Sequence, residues 1–193
     1  MHNRQIVTVE VNPDLVLLST IKTSKEYRGI TSMTPSTLAA GSYVDKCVDI
    51  LDMRGNVLKS IKPIDSGKEI IHSPGFLCTT GTGNILVSDG SSGRVLCLTA
   101  EGDVVFTFRT TGHTTLESPR GITSTSTGDI LATDYFRNTV VHLTESGQFV
   151  RNILTKDDGV LAPLGVCVDG HGRVYVSYYS SDEIKVFSFS NTV

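Results

Sequence analysis

The sequence predicts an all-β chain built from one repeated four-stranded unit, and three observations carry that prediction. First, residues recur at a fixed period. Pro74, Gly83, Asp89 and Gly102 each stand 45 residues before Pro119, Gly128, Asp134 and Gly147. Pro163 and Gly172 stand 44 residues after Pro119 and Gly128, while Gly29-Ile30 and Gly55 stand 92 residues before Gly121-Ile122 and Gly147. Second, short alternating or continuous apolar runs lie between glycine-centred turns, the pattern of strands joined by tight hairpins. Third, nothing reads as a long amphipathic helix. A period of 40–50 residues with several short strands per unit marks a β-propeller, one blade per repeat.

The elements follow in order. Ile6–Val11 and Leu15–Ile21 read as two strands whose spacing fits strands C and D of a preceding blade, so residues 6–21 are its remnant. Blades follow at about 28–62, 73–109, 119–155 and 163–189. In the clearest copy, strand A is 121–125, strand B 129–134, strand C 139–144 and strand D 148–154. Gly128-Asp129 and Gly147-Gln148 mark the A–B and C–D turns, where glycine tolerates positive φ. Pro119 opens strand A, where a missing donor does no harm. The last blade has strands 165–168, 173–178 and 184–189 and no strand D. Six such blades need roughly 270 residues, against 193 here. The expectation is about four blades plus the N-terminal strand pair, an incomplete, open part of a six-bladed ring. The alternative is a small closed ring in which 15–21 pairs beside 184–189, since propellers remove sheet edges by closure.

Composition narrows the function classes. Net charge is −3, so the basic signature of a nucleic-acid-binding domain is absent. Charged residues are 19%, too few for a disordered chain and suited to turn-rich β structure. Cys47, Cys78, Cys97 and Cys167 form no C-x-x-C pair and read as small buried thiols of a reducing compartment. Met1-His2-Asn3-Arg4 lacks the apolar core of a leader, and no apolar run approaches membrane-spanning length. A soluble cytoplasmic protein is expected.

Antiparallel connectivity sorts the loops onto two faces. A–B and C–D turns share one, with Asp52, Arg54, Glu101, Asp103, Asp129, Glu145, Asp169 and Arg173, which is acidic on balance. B–C loops and blade connections share the other. There lie Tyr43, Arg94, Tyr135-Phe136-Arg137 and Tyr178-Tyr179 from the loops, and Arg28, His113, Arg120 and Lys156 from the connections. Aromatics beside arginines suit peptide anchoring or base stacking. The candidate partner-binding residues are therefore Arg28, Tyr43, Arg94, Arg120, Tyr135, Phe136, Arg137, Tyr178 and Tyr179. The bland alternative packs Tyr135 and Tyr178 between blades and makes Arg120 a connection cap. Asp89 and Asp134 recur at one repeat position and read as acceptors for turn amides.

An enzyme would need a site in the central channel. The inner strands offer one carboxylate, Asp169, at a turn, and a divalent ion wants several converging ligands. His2, His72, His113, His142 and His171 lack ligand spacing, and His142 is expected to be half-exposed. Gly81-Thr82-Gly83 precedes no helix and so is no phosphate loop. No cofactor, no metal and no catalytic residue are expected. A propeller hydrolase or lyase with a channel metal is the alternative.

The repeats resemble the NHL repeat. Pro119-Arg120-Gly121-Ile122, Gly128-Asp129-Ile130, Asp134, Asn138 and Gly147-Gln148-Phe149 match its pattern in order, and the copies cover residues 28–189. Phe76 stands at the Gly121 position, Ser42 and Tyr178 at the Asp134 position, and Lys46, Gly93 and Asp182 at the Asn138 position, so blades one and four are degenerate. The chain is most similar in character to the C-terminal NHL propeller of animal tripartite-motif proteins. That resemblance implies a substrate- or RNA-binding module of a ubiquitin ligase, with ligase activity belonging to a longer relative. The expected partner is a protein, with RNA second, no DNA, no membrane, and self-association through open blade edges.

Overall fold

A computed structural model describes residues 4–11, 13–109 and 116–188. His113 and the stretch beyond Ser188 therefore lie outside the described residues. The architecture is all-β, an open arc of propeller blades. β1 (Gln5–Val11) and β2 (Leu15–Lys22) form a two-stranded antiparallel ribbon. The first blade is β3 (Gly29–Thr34), β4 (Thr37–Ser42), β5 (Cys47–Asp52) and β6 (Val57–Ile61). A two-residue ribbon, β7 (Ile64–Asp65) and β8 (Lys68–Glu69), bridges to the second blade, and repeat reasoning did not foresee it. That blade is β9 (Pro74–Thr79), β10 (Ile85–Asp89), β11 (Arg94–Leu98) and β12 (Val104–Phe108). The third is β13 (Pro119–Ser124), β14 (Ile130–Asp134), β15 (Thr139–Leu143) and β16 (Phe149–Leu154). The fourth is β17 (Pro163–Val168), β18 (Arg173–Tyr178) and β19 (Ile184–Ser188), three strands among the described residues.

Each blade is a meander, and the inner strands β3, β9, β13 and β17 pack on one another in that order. Strands β10 and β14 are buried along their whole length, because a middle strand has a blade on each face. That is why Ile85-Leu86-Val87 and Ile130-Leu131-Ala132 read as continuous apolar runs rather than alternations. Three apolar cores fill the gaps between consecutive blades. The first joins Ala39 and Val48 to Ile85 and Leu96; the second joins Leu86 and Val95 to Ile130 and Val141; the third joins Leu131 and Val140 to Val174 and Val176.

Glycine is required where backbones touch or reverse. A Cβ on Gly121 would lie 2.5 Å from the Leu164 carbonyl oxygen and 2.6 Å from the Val166 nitrogen, so this position sets how closely blades three and four approach. Gly128 and Gly147 take φ of 89° and 78° in their hairpin turns, a region side chains rarely enter.

Two expectations need correction. His142 is buried rather than half-exposed, at 7%, with Nε2 3.2 Å from the Asp129 carboxylate. β15 lies between β14 and β16, and the outer strand covers it. Cys167 is exposed, whereas Cys47 and Cys97 are buried and Cys78 is half-buried. Cys78 packs against the next blade's core, but β17 belongs to the last blade of the arc.

Candidate functional site

The loop face is built on a repeated carboxylate clasp. Asp134 ends β14 fully buried and accepts hydrogen bonds from the amides of Glu117 at 2.6 Å, Ser118 at 3.2 Å and Arg137 at 3.2 Å. Asp89 does the same one blade earlier, accepting from His72 at 2.6 Å, Ser73 at 3.0 Å and Ser92 at 3.3 Å. Turn amides were expected as the donors. The Arg137 and Ser92 amides are such donors, and the shortest bonds, from Glu117 and from His72, come from the connection entering the blade, so each carboxylate ties that connection to its B–C loop. Ser42, at the same repeat position, reaches only Asp45 in its own loop.

On this scaffold the Arg and Tyr positions recur. Arg28 stacks on Tyr43 with its guanidinium carbon 4.6 Å from the ring centroid, and Arg120 stacks on Tyr135 at 5.7 Å. Arg28 and Tyr43 stand 92 residues before Arg120 and Tyr135, so these are one pair built twice. Cation–π contact orients a guanidinium without using its N–H groups. Among the described residues neither side chain has a hydrogen-bond acceptor, and the Arg120 Nε is buried without one. Arg28 also borders a cavity of about 260 Å³ with Arg4, Ile6 and Ile30.

The remaining candidates divide. Tyr135 meets Phe136 edge-on at 5.1 Å and Tyr179 edge-on at 5.8 Å, joining blades three and four. Phe136 and Tyr179 are 60% and 70% exposed, an aromatic pair facing solvent. Arg137 is paired with Glu117 at 3.4 Å. Arg94 is half-buried and donates weakly to the Ile70 carbonyl at 3.5 Å, so it braces a connection. Tyr178 sits deeper: it is the last residue of β18, packs in the third core beneath Lys185, and borders a depression of about 120 Å³ with Leu161, Ser180, Ser181 and Glu183.

The inner wall's carboxylate is spent locally. Asp169 accepts from the His171 and Arg173 amides, from the Arg173 Nε at 2.6 Å and from the Tyr175 hydroxyl. The Arg173 amide and guanidinium hold its carboxyl well below the usual range. The opposite face has an open depression of about 530 Å³ lined by Thr80, Asn84, Thr144 and Glu145, with hydroxyls and one acid but no exposed aromatic.

One polar cluster escaped the repeat reading. Asp49 is fully buried and bonded to Lys25 at 2.7 Å, Tyr27 at 2.6 Å, Ser60 at 2.5 Å and Cys47 at 3.3 Å. Burial opposes its charge, yet the bonds from Lys25, Ser60 and Tyr27 hold the carboxyl below its ordinary value. Burial and then Asp49 push the Cys47 thiol up to about 11. The signal was an acid inside Val48-Asp49-Ile50-Leu51, where blades two and three carry Leu96 and Val141.

No protein-family model matches the chain, and no curated protein matches it. Solved structures do. Virginiamycin B lyase from Staphylococcus aureus is similar with TM-score 0.69 and 12% identity over 97% of this chain. A streptogramin B lyase gives TM-score 0.61 and 15% identity over 97% of this chain and 59% of that one. A chain of the nidogen/laminin complex gives TM-score 0.64 and 14% identity over 96% of this chain and 86% of that one. At these identities the likeness is one of fold, a β-propeller. The chain spans 64% of the length of the virginiamycin B lyase.

Proposed function

We propose that this chain is a non-catalytic interaction module that binds a protein partner through its B–C loop face. The observation carrying this reading is the exposed Phe136–Tyr179 pair, held edge-on to Tyr135 across two blades beside an unsatisfied arginine. Rigid aromatics next to arginine supply the anchors that dominate protein interfaces. The nidogen/laminin neighbour supports the use of a propeller in a protein complex. The Pro119-Arg120-Gly121-Ile122 and Gly128-Asp129-Ile130 pattern supports a finer placement among NHL propellers of tripartite-motif ubiquitin ligases, in the cytoplasm. In that placement the ligase chemistry belongs to a longer polypeptide.

The test compares partner capture by the native chain, by Phe136→Ser with Tyr179→Ser, and by Glu101→Lys with Asp103→Lys on the opposite face. The aromatic double variant is expected to lose about tenfold or more of its capture, while the opposite-face variant keeps it. The reverse pattern refutes the reading. RNA binding with a steep salt dependence would transfer the face to RNA.

A further inference from the structure

Blades one, three and four carry a tyrosine at the first position of the B–C loop, Tyr43, Tyr135 and Tyr179, and blade two carries Gly90 there. The missing ring matters because the Arg120 guanidinium reaches that glycine. A Cβ added to Gly90 would sit 3.5 Å from Nη1 and 3.6 Å from the guanidinium carbon. A tyrosine in its place would cover the guanidinium; Gly90-Ser91-Ser92-Gly93 leaves it room.

From Arg120 the contacts run on without a gap. Its guanidinium carbon is 5.7 Å from the Tyr135 centroid, and Tyr135 meets Phe136 at 5.1 Å and Tyr179 at 5.8 Å. The exposed rings of Phe136 and Tyr179 thus lie within about 12 Å of the guanidinium. Side chains two apart on an extended strand share a face and stand about 7 Å apart at the backbone, so one short segment spans both.

The neighbouring arginines are spent: Arg137 pairs with Glu117, and Arg94 donates to the Ile70 carbonyl. Arg120 is stacked, and its Nε is buried without an acceptor among the described residues. A guanidinium that ring stacking holds in place keeps its fork for a carboxylate. Resting on the protein-binding reading of this face, we infer that Arg120 receives the carboxylate of an acidic residue in an extended partner segment, while an aromatic residue two positions along packs on Phe136 and Tyr179. The arginine selects for acid, and the exposed ring pair selects for the aromatic.

The experiment is fluorescence anisotropy on the whole chain with a labelled peptide carrying Glu and Phe two positions apart among Ser and Gly. The comparison peptides replace Glu by Gln or Phe by Ser, and a labelled oligouridine is the third probe. The Glu/Phe peptide is expected to bind about tenfold or more tightly than the Gln peptide, and about tenfold or more tightly than the peptide lacking Phe. Arg120→Gln is expected to remove the preference for Glu over Gln, and Arg120→Lys to restore only part of it, since lysine keeps the charge and loses the fork. Gly90→Asp keeps Arg120 but supplies an internal carboxylate beside Nη1, and is expected to abolish the preference; Gly90→Asn, without the charge, retains it. Arg28→Gln is the control, because Tyr43 has Gly90 rather than an aromatic at the matching position of the next blade, and it is expected to change nothing. Circular dichroism checks that each variant is folded.

Equal binding of the Gln peptide, an unchanged preference in Arg120→Gln or Gly90→Asp, or an equal loss in Arg28→Gln overturns the inference. Indifference to the peptide's Phe overturns it too, and tighter binding of oligouridine through Arg120 overturns it in favour of RNA. Partner capture that needs Phe136 and Tyr179 but survives Arg120→Gln leaves the face reading standing while this inference falls.

Discussion

Replacing Asp134 by alanine tests whether a single buried carboxylate holds a blade connection to its loop. The side chain accepts three amides: Ser118, itself buried, and Glu117 and Arg137 at exposed residues. Hydrogen bonds to a charged group are worth about 1.5–3 kcal/mol net, and an orphaned buried amide forfeits the upper part of that range. Water can replace the acceptor at the two exposed residues, leaving about 0.5–1 kcal/mol each. The sum is about 4 kcal/mol, a large share of a domain stability of about 5–15 kcal/mol. Asp134→Asn keeps one acceptor oxygen but turns an amide donor towards the other site, for about 2 kcal/mol. Ser42→Ala is the internal control, because Ser42 bonds only within its own loop, and about 0.5–1 kcal/mol is expected. Denaturant titration gives the three values. Amide exchange shows whether Ser118 loses protection in Asp134→Ala. A loss under about 1 kcal/mol for that variant, or unchanged exchange at Ser118, refutes the clasp.

Three further outcomes are expected. Gly121→Ala pushes a methyl into the Leu164–Val166 backbone and should cost about 1–3 kcal/mol by overpacking, read as a lower denaturation midpoint. In native protein at pH 8, Cys167 should react first with a thiol reagent. Cys47 and Cys97, both pushed up to about 11 by burial, hold only about a thousandth of their thiols ionised and should react only on unfolding. A mass label on Cys97 in the folded chain would contradict this. The Asp49 carboxyl is lowered from 3.8 and the Lys25 ammonium raised from 10.5. Their stabilisation is thus present between those ordinary values. It is lost as pH falls through the lowered carboxyl value or rises through the raised ammonium value. Asp49→Asn should flatten the acid limb of the stability profile, and an unchanged limb would remove Asp49 from acid unfolding.

Much of the fold was legible because it is periodic. Glycines at the hairpin turns are needed for backbone reasons that hold in any context, and the buried middle strands announce themselves as apolar runs such as Ile85-Leu86-Val87. The site was legible only as a face. That Tyr135 and Tyr179 share a B–C loop position followed from the repeat, but that their rings meet depends on how blades three and four twist together. Tyr178 reads like Tyr179 in the sequence, yet alternation on β18 turns it into the core. The β7–β8 ribbon and the Asp49 cluster break the repeat, and periodicity carries no information about departures from itself.

The sequence by itself determined the blade repeat, the turn positions and the sorting of loops onto two faces, since these follow from local backbone rules and period. Only the tertiary structure decided which arginines remain unspent. Arg28, Arg120 and Arg137 look alike in sequence, and what separates them is whether an acid from another loop lies within reach. That is a matter of packing distance, and chain order does not encode it.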